Sequence, residues 1–378
     1  MDSERVFWIF PLLVLGKIVV VMGGSSSYAF PAVYNFGDSN SDTGGRSAAL
    51  VQVPPPYGQT FFRKPSGRLS DGRLIIDFIA ESLGLPFLSA YLDSIGTNFR
   101  HGANFATGGS SIQPGDFSPF HLGVQVSQFI QFKSRTTELY ENLSDSDDIF
   151  GSGMISSYAA GLPKPGEFSK ALYTIDIGQN DLAYAFQNKT EDQVRATIPD
   201  IVNQFTQALH QLYDEGARFF WVHNTGPIGC LPLSAIPYQA MNVSLDQYGC
   251  IKYQNDIAQE LNQQLKDGVT QLKTLLPLAT FTYIDIYSAK FSLISDAKNQ
   301  GFDDPLNYCC GSLFPYPVFC GSTMEVNEKV YGNPCDDPWA RISWDGIHYT
   351  EAANRWVATK IFSRSLSDPP VTITNACS

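Results

Sequence analysis

Residues 32–44 read Ala-Val-Tyr-Asn-Phe-Gly-Asp-Ser-Asn-Ser-Asp-Thr-Gly, and the fold turns on this stretch. Ala32 to Phe36 make a short apolar run with β-branched and aromatic side chains, the pattern of a buried strand. At Gly37 the run breaks into small polar residues, the pattern of a tight turn entering a helix. Ser39 falls at that break. Open α/β sheets bind ligands at the carboxyl ends of their strands, and a following helix offers N–H groups and a favourable dipole. Ser39 therefore fits a nucleophile, and it also fits a helix-capping serine.

Further runs of the same kind follow. Asn98 to Ser110 is a second strand-to-glycine transition, and Gly108 and Gly109 allow a sharp turn that exposes backbone N–H groups. Ala171 to Gly178 reads as a third strand, with Gln179-Asn180-Asp181 at its end. Arg218 to His223 and Thr280 to Asp285 read as the fourth and fifth. Apolar periodicity places helices between them, near 74–83, 124–140, 190–214, 247–276 and 350–365. Asp71 is the expected N-cap of the first of these. The segment 302–342 reads as irregular and cysteine-rich. Alternating strands and helices imply a parallel sheet between two helix layers. The expected fold is thus α/β, three layers, with a five-stranded, mainly parallel flavodoxin-like sheet of order 2-1-3-4-5. No repeat or linker divides it, so residues 30–378 are expected to form a single domain.

At 378 residues and 43% apolar content the chain can bury a large core. A net charge of −12 argues against nucleic acid or an anionic membrane as partner. Residues 1–29 resemble a secretory signal: Arg5, an apolar stretch from Val6 to Val21 interrupted by Lys17, then small residues through Ser27-Tyr28-Ala29. Lys17 leaves the unbroken apolar run shorter than a membrane span of about 20 residues, so no stable membrane anchor is expected. Sequons at Asn142, Asn188 and Asn242 and seven cysteines, all after Pro227, agree with a secreted, glycosylated, disulfide-bonded protein of the extracellular space. Seven is odd, so at least one thiol is expected to be free or to pair outside the chain. Cys309 and Cys310 are adjacent and are expected to pair apart, and Cys230 with Cys250 is a reasonable pair by proximity. No cysteine pair has zinc-ribbon spacing, and neither a metal nor a cofactor is expected.

The last chemically suggestive segment is Trp344-Asp345-Gly346-Ile347-His348-Tyr349. On a turn, the spacing of Asp345 and His348 lets the carboxylate accept from the imidazole Nδ1–H while Nε2 points outward. That fixes the tautomer and stabilises the imidazolium formed when histidine takes a serine proton. An imidazole, with an ordinary pKa of about 6.5, suits a general base near neutral pH. His101, His121, His210 and His223 show no comparable local carboxylate in the sequence.

Taken in order, Phe36-Gly37-Asp38-Ser39, Asn104 to Gly109, Gly178-Gln179-Asn180-Asp181 and Asp345-Gly346-Ile347-His348 resemble the four blocks of the SGNH, or GDSL, hydrolases. The resemblance runs from Phe30 to Pro370, and Ser70 to Arg73 and Thr225 to Cys230 further resemble the plant secreted GDSL esterase/lipase branch. It implies the SGNH hydrolase fold, Ser39 as nucleophile, His348 as base and Asp345 as its orienting carboxylate. It also implies an oxyanion hole from the Ser39 N–H, the Gly108 N–H and the Asn180 amide, with Gly102 and Gly109 as alternative glycines. Asn40 stands where the family name has leucine. That form resembles a subgroup with acetyl esterases, a latex-type esterase and α-fucosidase-like proteins. The expected substrate is a small-molecule or carbohydrate ester with a short acyl group, such as acetyl on a sugar or plant metabolite. Rival readings are a lipase on longer acyl esters, a glycosidase using two of Asp38, Asp42, Asp181 and Asp345, and a non-catalytic secreted binding protein. Tyr57, Phe105 and Phe186 read as core aromatics.

Overall fold

The computed structural model describes residues 30–144, 159–240 and 244–376. The leading segment 1–29, Asn242 and Cys377 lie outside the described residues, and with them the signal, one sequon and the seventh cysteine.

Strand β1 (Val33–Gly37) pairs in parallel with β2 (Gly102–Asn104) on one side and β3 (Leu172–Asp176) on the other. β4 (Phe219–His223) and β5 (Thr280–Ile284) extend the sheet, also in parallel. The order 2-1-3-4-5 is the expected one. The strand count differs. The sheet has six strands, because Ser367–Asp368 (β8) runs antiparallel on the free edge of β5. Two polar residues carry no apolar periodicity, so the sequence has no signal for this strand.

β1 and β3 are buried along their whole lengths, as expected of parallel strands covered on both faces. Helices Leu122–Ser144, Glu191–Asp214 and Lys252–Leu275 pack side by side as one layer. Ile75–Ser82, Ile286–Ser295 and Glu351–Ile361 pack as the other. Phe36, Phe105, Phe129, Tyr34 and Tyr173 interlock in the core under β1. Thr190 caps its helix through a reciprocal pair with Gln193, and Thr350 caps Glu351–Ile361 by accepting from Ala353 N–H at 3.2 Å.

Asp71 does not cap the helix that follows it. Asp77 accepts the Leu74 N–H there, at 2.9 Å, while Asp71 Oδ1 accepts from Glu351 N–H, the first residue of the final helix, at 2.7 Å. Ser70 Oγ donates to Tyr349 O, and Arg73 pairs with Glu351. The loop 53–73 is thereby bound onto the segment that carries Asp345 and His348. The cysteine-rich region is stapled by Cys309–Cys335 and Cys310–Cys320, and Cys230 pairs with Cys250. It contains a hairpin, β6 (Met324–Val326) and β7 (Lys329–Tyr331), whose turn residues Asn327 and Glu328 both have positive φ.

Candidate active site

The turn that carries Ser39 begins where β1 meets β3. A Cβ on Gly37 would lie 2.5 Å from Asp176 O, so only glycine lets the two strand ends approach this closely. Asp38 N–H then donates to Asp176 O, and Ser41 N–H donates to Asp38 O. Asp38 Oδ1 accepts both the backbone N–H and the side-chain amide of Asn40, each at 2.9 Å. Ser39 is held between these two residues. No long helix follows it directly: the next helix, Gly45–Ala49, is one short turn.

Ser39, Asn40, Gly108, Gly109, Asn180 and His348 all line one cavity of about 660 Å³. The four blocks, far apart in sequence, therefore meet at one place. His348 Nδ1 lies 2.7 Å from Asp345 Oδ2, the arrangement the sequence suggested. Asp345 Oδ1 accepts from the N–H groups of Ile347, at 3.0 Å, and His348, at 2.8 Å. Burial pulls the Asp345 pKa upward, but the His348 charge and the hydrogen bonds from His348 and Ile347 outweigh it and hold the pKa below its ordinary value. No hydrogen bond joins Ser39 to His348 in this structure; such contacts commonly close only with substrate bound.

A residue that reads as core in the sequence belongs to the site. Tyr57 OH donates to Asp345 Oδ2 at 2.9 Å, the same oxygen that faces His348. Its ring stands edge-on to Trp344, and burial beside the Asp345 charge raises its phenol above the ordinary range. The partners are 288 residues apart, and no local pattern in the sequence marks them.

In the second-block turn the three candidate glycines differ in where their N–H groups go. Gly108 N–H donates to Asp42 Oδ2 at 2.7 Å, so its one proton is directed away from an oxyanion. Gly102 N–H donates to Phe99 O in the strand region. Gly109 lines the cavity, and its N–H has no acceptor among the described residues. Asn180 Nδ2 gives one hydrogen to Ser110 O at 2.8 Å and keeps the other. Asp42, fully buried, also accepts from the N–H groups of Gly44, Gly45 and Arg46, and so locks the Ser39 turn to the Gly108 turn. Asp181 similarly ties the third block to the second by accepting from Ile112 and Gln113, although burial pushes its pKa up to about 7.

The remaining cavity wall is mostly apolar, with Phe117, Phe186, Ile228, Leu231, Leu233 and Pro237, but Arg46, Gln179, Gln187, Ser234, Tyr238 and Gln254 also line the cavity. Among the described residues no carboxylate lines it. Asp42, Asp181 and Asp345 are engaged by backbone amides behind it. Two other histidines have carboxylates in reach: His210 with Asp214, exposed on a helix, and His223 with Asp176, buried under the turn. The described residues hold no cluster of groups that fits a metal ion.

Ser39 on the turn after β1 and a histidine backed by a buried carboxylate share one cavity at the carboxyl edge of a doubly wound sheet, and together they point to the hydrolase class. The sequence profile of the GDSL-like Lipase/Acylhydrolase family matches residues 33–361, and the chain belongs to that family. A GDSL esterase/lipase of Arabidopsis thaliana is 54% identical over 97% of this chain and 96% of its own. An esterase of Hevea brasiliensis is 47% identical over 97% of this chain and 95% of its own. Alpha-L-fucosidase 3 of Arabidopsis thaliana is 48% identical over 88% of this chain and 90% of its own. The chain is a carboxylic ester hydrolase of the GDSL esterase/lipase kind.

Proposed function

We propose that Ser39, His348 and Asp345 hydrolyse an ester through an acyl-enzyme. His348 Nε2 takes the Ser39 proton as Oγ attacks the carbonyl carbon. The Ser39 N–H, the Gly109 N–H and the free hydrogen of the Asn180 amide stabilise the oxyanion. The intermediate collapses, His348 protonates the departing alcohol, and water attacks the acyl-enzyme by the same route. Asp345 holds the imidazole in the tautomer this requires. The observation that supports the scheme most is the convergence of Ser39, Asn180 and His348 on one cavity, with Asp345 2.7 Å behind the histidine.

An acetyl group fills only a small part of about 660 Å³, and the rest of the wall is largely apolar. Of the short-acyl substrates, the cavity favours an ester of a metabolite with an apolar body over an acetylated sugar. A longer acyl chain is the second reading, carried by the same wall. A relative bearing a fucosidase name makes a glycosidase worth testing, but that chemistry needs two carboxylates flanking the sugar, and among the described residues none lines this cavity. A panel of acetylated sugars, aromatic acetates, long-chain esters and nitrophenyl fucoside, with detection of the released acid or sugar, tests the assignment. Fastest turnover on apolar acetates supports it, and turnover on the fucoside alone overturns it.

Secretion is part of the same reading. Three disulfides suit an oxidising compartment, Asn142 and Asn188 are exposed, and no described helix is long and apolar enough to cross a membrane. A mass decrease on glycosidase treatment of protein from culture medium, lost in Asn142→Gln/Asn188→Gln/Asn242→Gln, checks it.

A further inference from the structure

Arg46 lines the cavity that holds Ser39, and the hydrolysis scheme gives it no task. It stands in the short helix Gly45–Ala49. Its backbone N–H donates to Asp42 Oδ2 at 2.9 Å, which fixes where the side chain starts. The stem then lies over the second-block turn. A Cβ on Gly108 would meet Arg46 Cδ at 3.0 Å, Leu69 Cδ1 at 3.1 Å and Arg46 Cβ at 3.5 Å, so glycine leaves the room that the stem occupies. Asp42 does not draw the guanidinium back, because each of its oxygens already accepts two backbone N–H groups.

The guanidinium itself makes no hydrogen bond or ion pair among the described residues. That sets it apart. The other arginines that are not exposed all have partners: Arg68, Arg73, Arg100, Arg195 and Arg341 pair with carboxylates, and Arg218 donates to Tyr213 O. Arg63, Arg135 and Arg364 are unpaired as well, but they are exposed, where water solvates them. Arg46 is half-buried in a mostly apolar wall. Among the described residues that line the cavity it is the only side chain of fixed charge, and no carboxylate offsets it. A ligand that fills the cavity strips water from this guanidinium. A neutral ester offers no charged partner in exchange, which weakens its binding. A carboxylate on the ester supplies two acceptors that match the guanidinium fork.

We propose that Arg46 is a specificity-determining residue and that the substrate is an ester bearing a free carboxylate, held by the Arg46 guanidinium while its ester carbonyl meets Ser39. The inference rests on the reading of Ser39 as nucleophile, and it narrows the apolar metabolite ester to one with an anionic end. The sheet order supports this division of the cavity. The Gly108 turn, with the Arg46 stem on it, follows β2 on one side of β1. Ile228, Leu231 and Leu233 follow β4, beyond β3 on the other side. Ser39, after β1, lies between them, so the carboxylate takes the β2 side and the apolar body the β4 side. The charge belongs either to the acyl half, as in a half-ester of a dicarboxylic acid, or to the alcohol half, as in an acylated hydroxy acid.

The test compares the full-length wild type with Arg46→Gln and Arg46→Lys on two matched pairs of esters at pH 7. In 4-acetoxybenzoate and 4-acetoxybenzamide the charge, or its neutral isostere, sits on the alcohol half. In monoethyl adipate and ethyl adipamate it sits on the acyl half. The ratio of kcat/KM for carboxylate over amide should fall about tenfold in Arg46→Gln for at least one pair, chiefly through KM, because the guanidinium binds ground and transition states alike. Arg46→Lys should recover part of that ratio, since a point charge replaces a fork. The pair that responds tells which half carries the charge. Both variants keep the backbone bond to Asp42, and a merely structural role would move both members of a pair together. An unchanged ratio in both pairs overturns the proposal. Where turnover is too slow for KM, protection of Ser39 from fluorophosphonate takes its place: 4-hydroxybenzoate or adipate should slow labelling of the wild type more than that of Arg46→Gln, and equal slowing by both overturns the proposal. Labelling lost in Ser39→Ala, together with a null result for Arg46, sinks only the specificity role. Labelling that persists in Ser39→Ala sinks the hydrolase reading and this inference with it.

Discussion

Asp42→Asn is the substitution whose effect the structure fixes most tightly. The wild-type carboxylate is fully buried and accepts four amides: Gly44 at 2.7 Å and Gly45 at 2.5 Å on Oδ1, Arg46 at 2.9 Å and Gly108 at 2.7 Å on Oδ2. Asparagine has the same shape but only one accepting oxygen. Whichever way its amide is turned, two N–H groups meet a donor. A buried donor left unpaired costs about 1–3 kcal/mol, so two cost about 2–6 kcal/mol. Set against a whole-fold stability of about 5–15 kcal/mol, that is a large share. Urea unfolding should show a lower midpoint at unchanged slope. With the amide nitrogen at the Oδ2 position the Arg46 and Gly108 bonds are lost, with it at the Oδ1 position the Gly44 and Gly45 bonds are; either change loosens the clamp between the Ser39 turn and the Gly108–Gly109 turn, so kcat should fall more than KM rises. A variant within about 1 kcal/mol of wild type and with wild-type kcat would refute the idea that Asp42 locks the two turns together.

Other expectations follow from single contacts. Tyr57→Phe removes one of the donors that hold Asp345, and a hydrogen bond to a charged group is worth about 1.5–3 kcal/mol before the remaining donors compensate. Steady-state kinetics should show kcat/KM down about tenfold with the fold intact, and an unchanged kcat/KM would remove Tyr57 from the site. The Asp345 pKa lies below its ordinary 3.8, so its charge stabilises the fold above that value and the benefit is lost as pH falls through the lowered folded value. The stability gap between wild type and Asp345→Asn should therefore be full at pH 7 and close on acidification below about pH 4. A gap constant down to pH 2 contradicts this. Replacing Cys230 and Cys250 by serine opens a loop of sequence separation 20, which should cost about 3 kcal/mol in denaturant melts and leave the pH profile of hydrolysis in place.

What the sequence made legible, and what it did not, has a physical pattern. β1, β3, β4 and β5 are apolar runs buried on both faces, and burial of that kind is written in residue type. The parallel order followed from alternation with helices. β8 is two polar residues pinned by an edge, and nothing local marks it. Asp345 and His348 are three residues apart, so their contact was readable; Tyr57 and Asp345 are 288 apart, and theirs was not. The choice between Gly108 and Gly109 depends on which way one N–H points, a dihedral matter that two identical neighbours cannot reveal. Asp71 had the right chemistry for a cap but serves the last helix instead of the next one. Asn40 was visible as a departure next to Ser39. Its bond to Asp38 explains what the side chain does there, since it braces the turn as well as lining the cavity.

The central claim is that Ser39 is the attacking group. Mass spectrometry of protease digests after fluorophosphonate treatment tests it directly. The account requires one covalent adduct, on the peptide containing Ser39, absent in Ser39→Ala and formed much more slowly in His348→Ala. An adduct on another residue, or a Ser39→Ala protein that hydrolyses p-nitrophenyl butyrate at the wild-type rate, would contradict it.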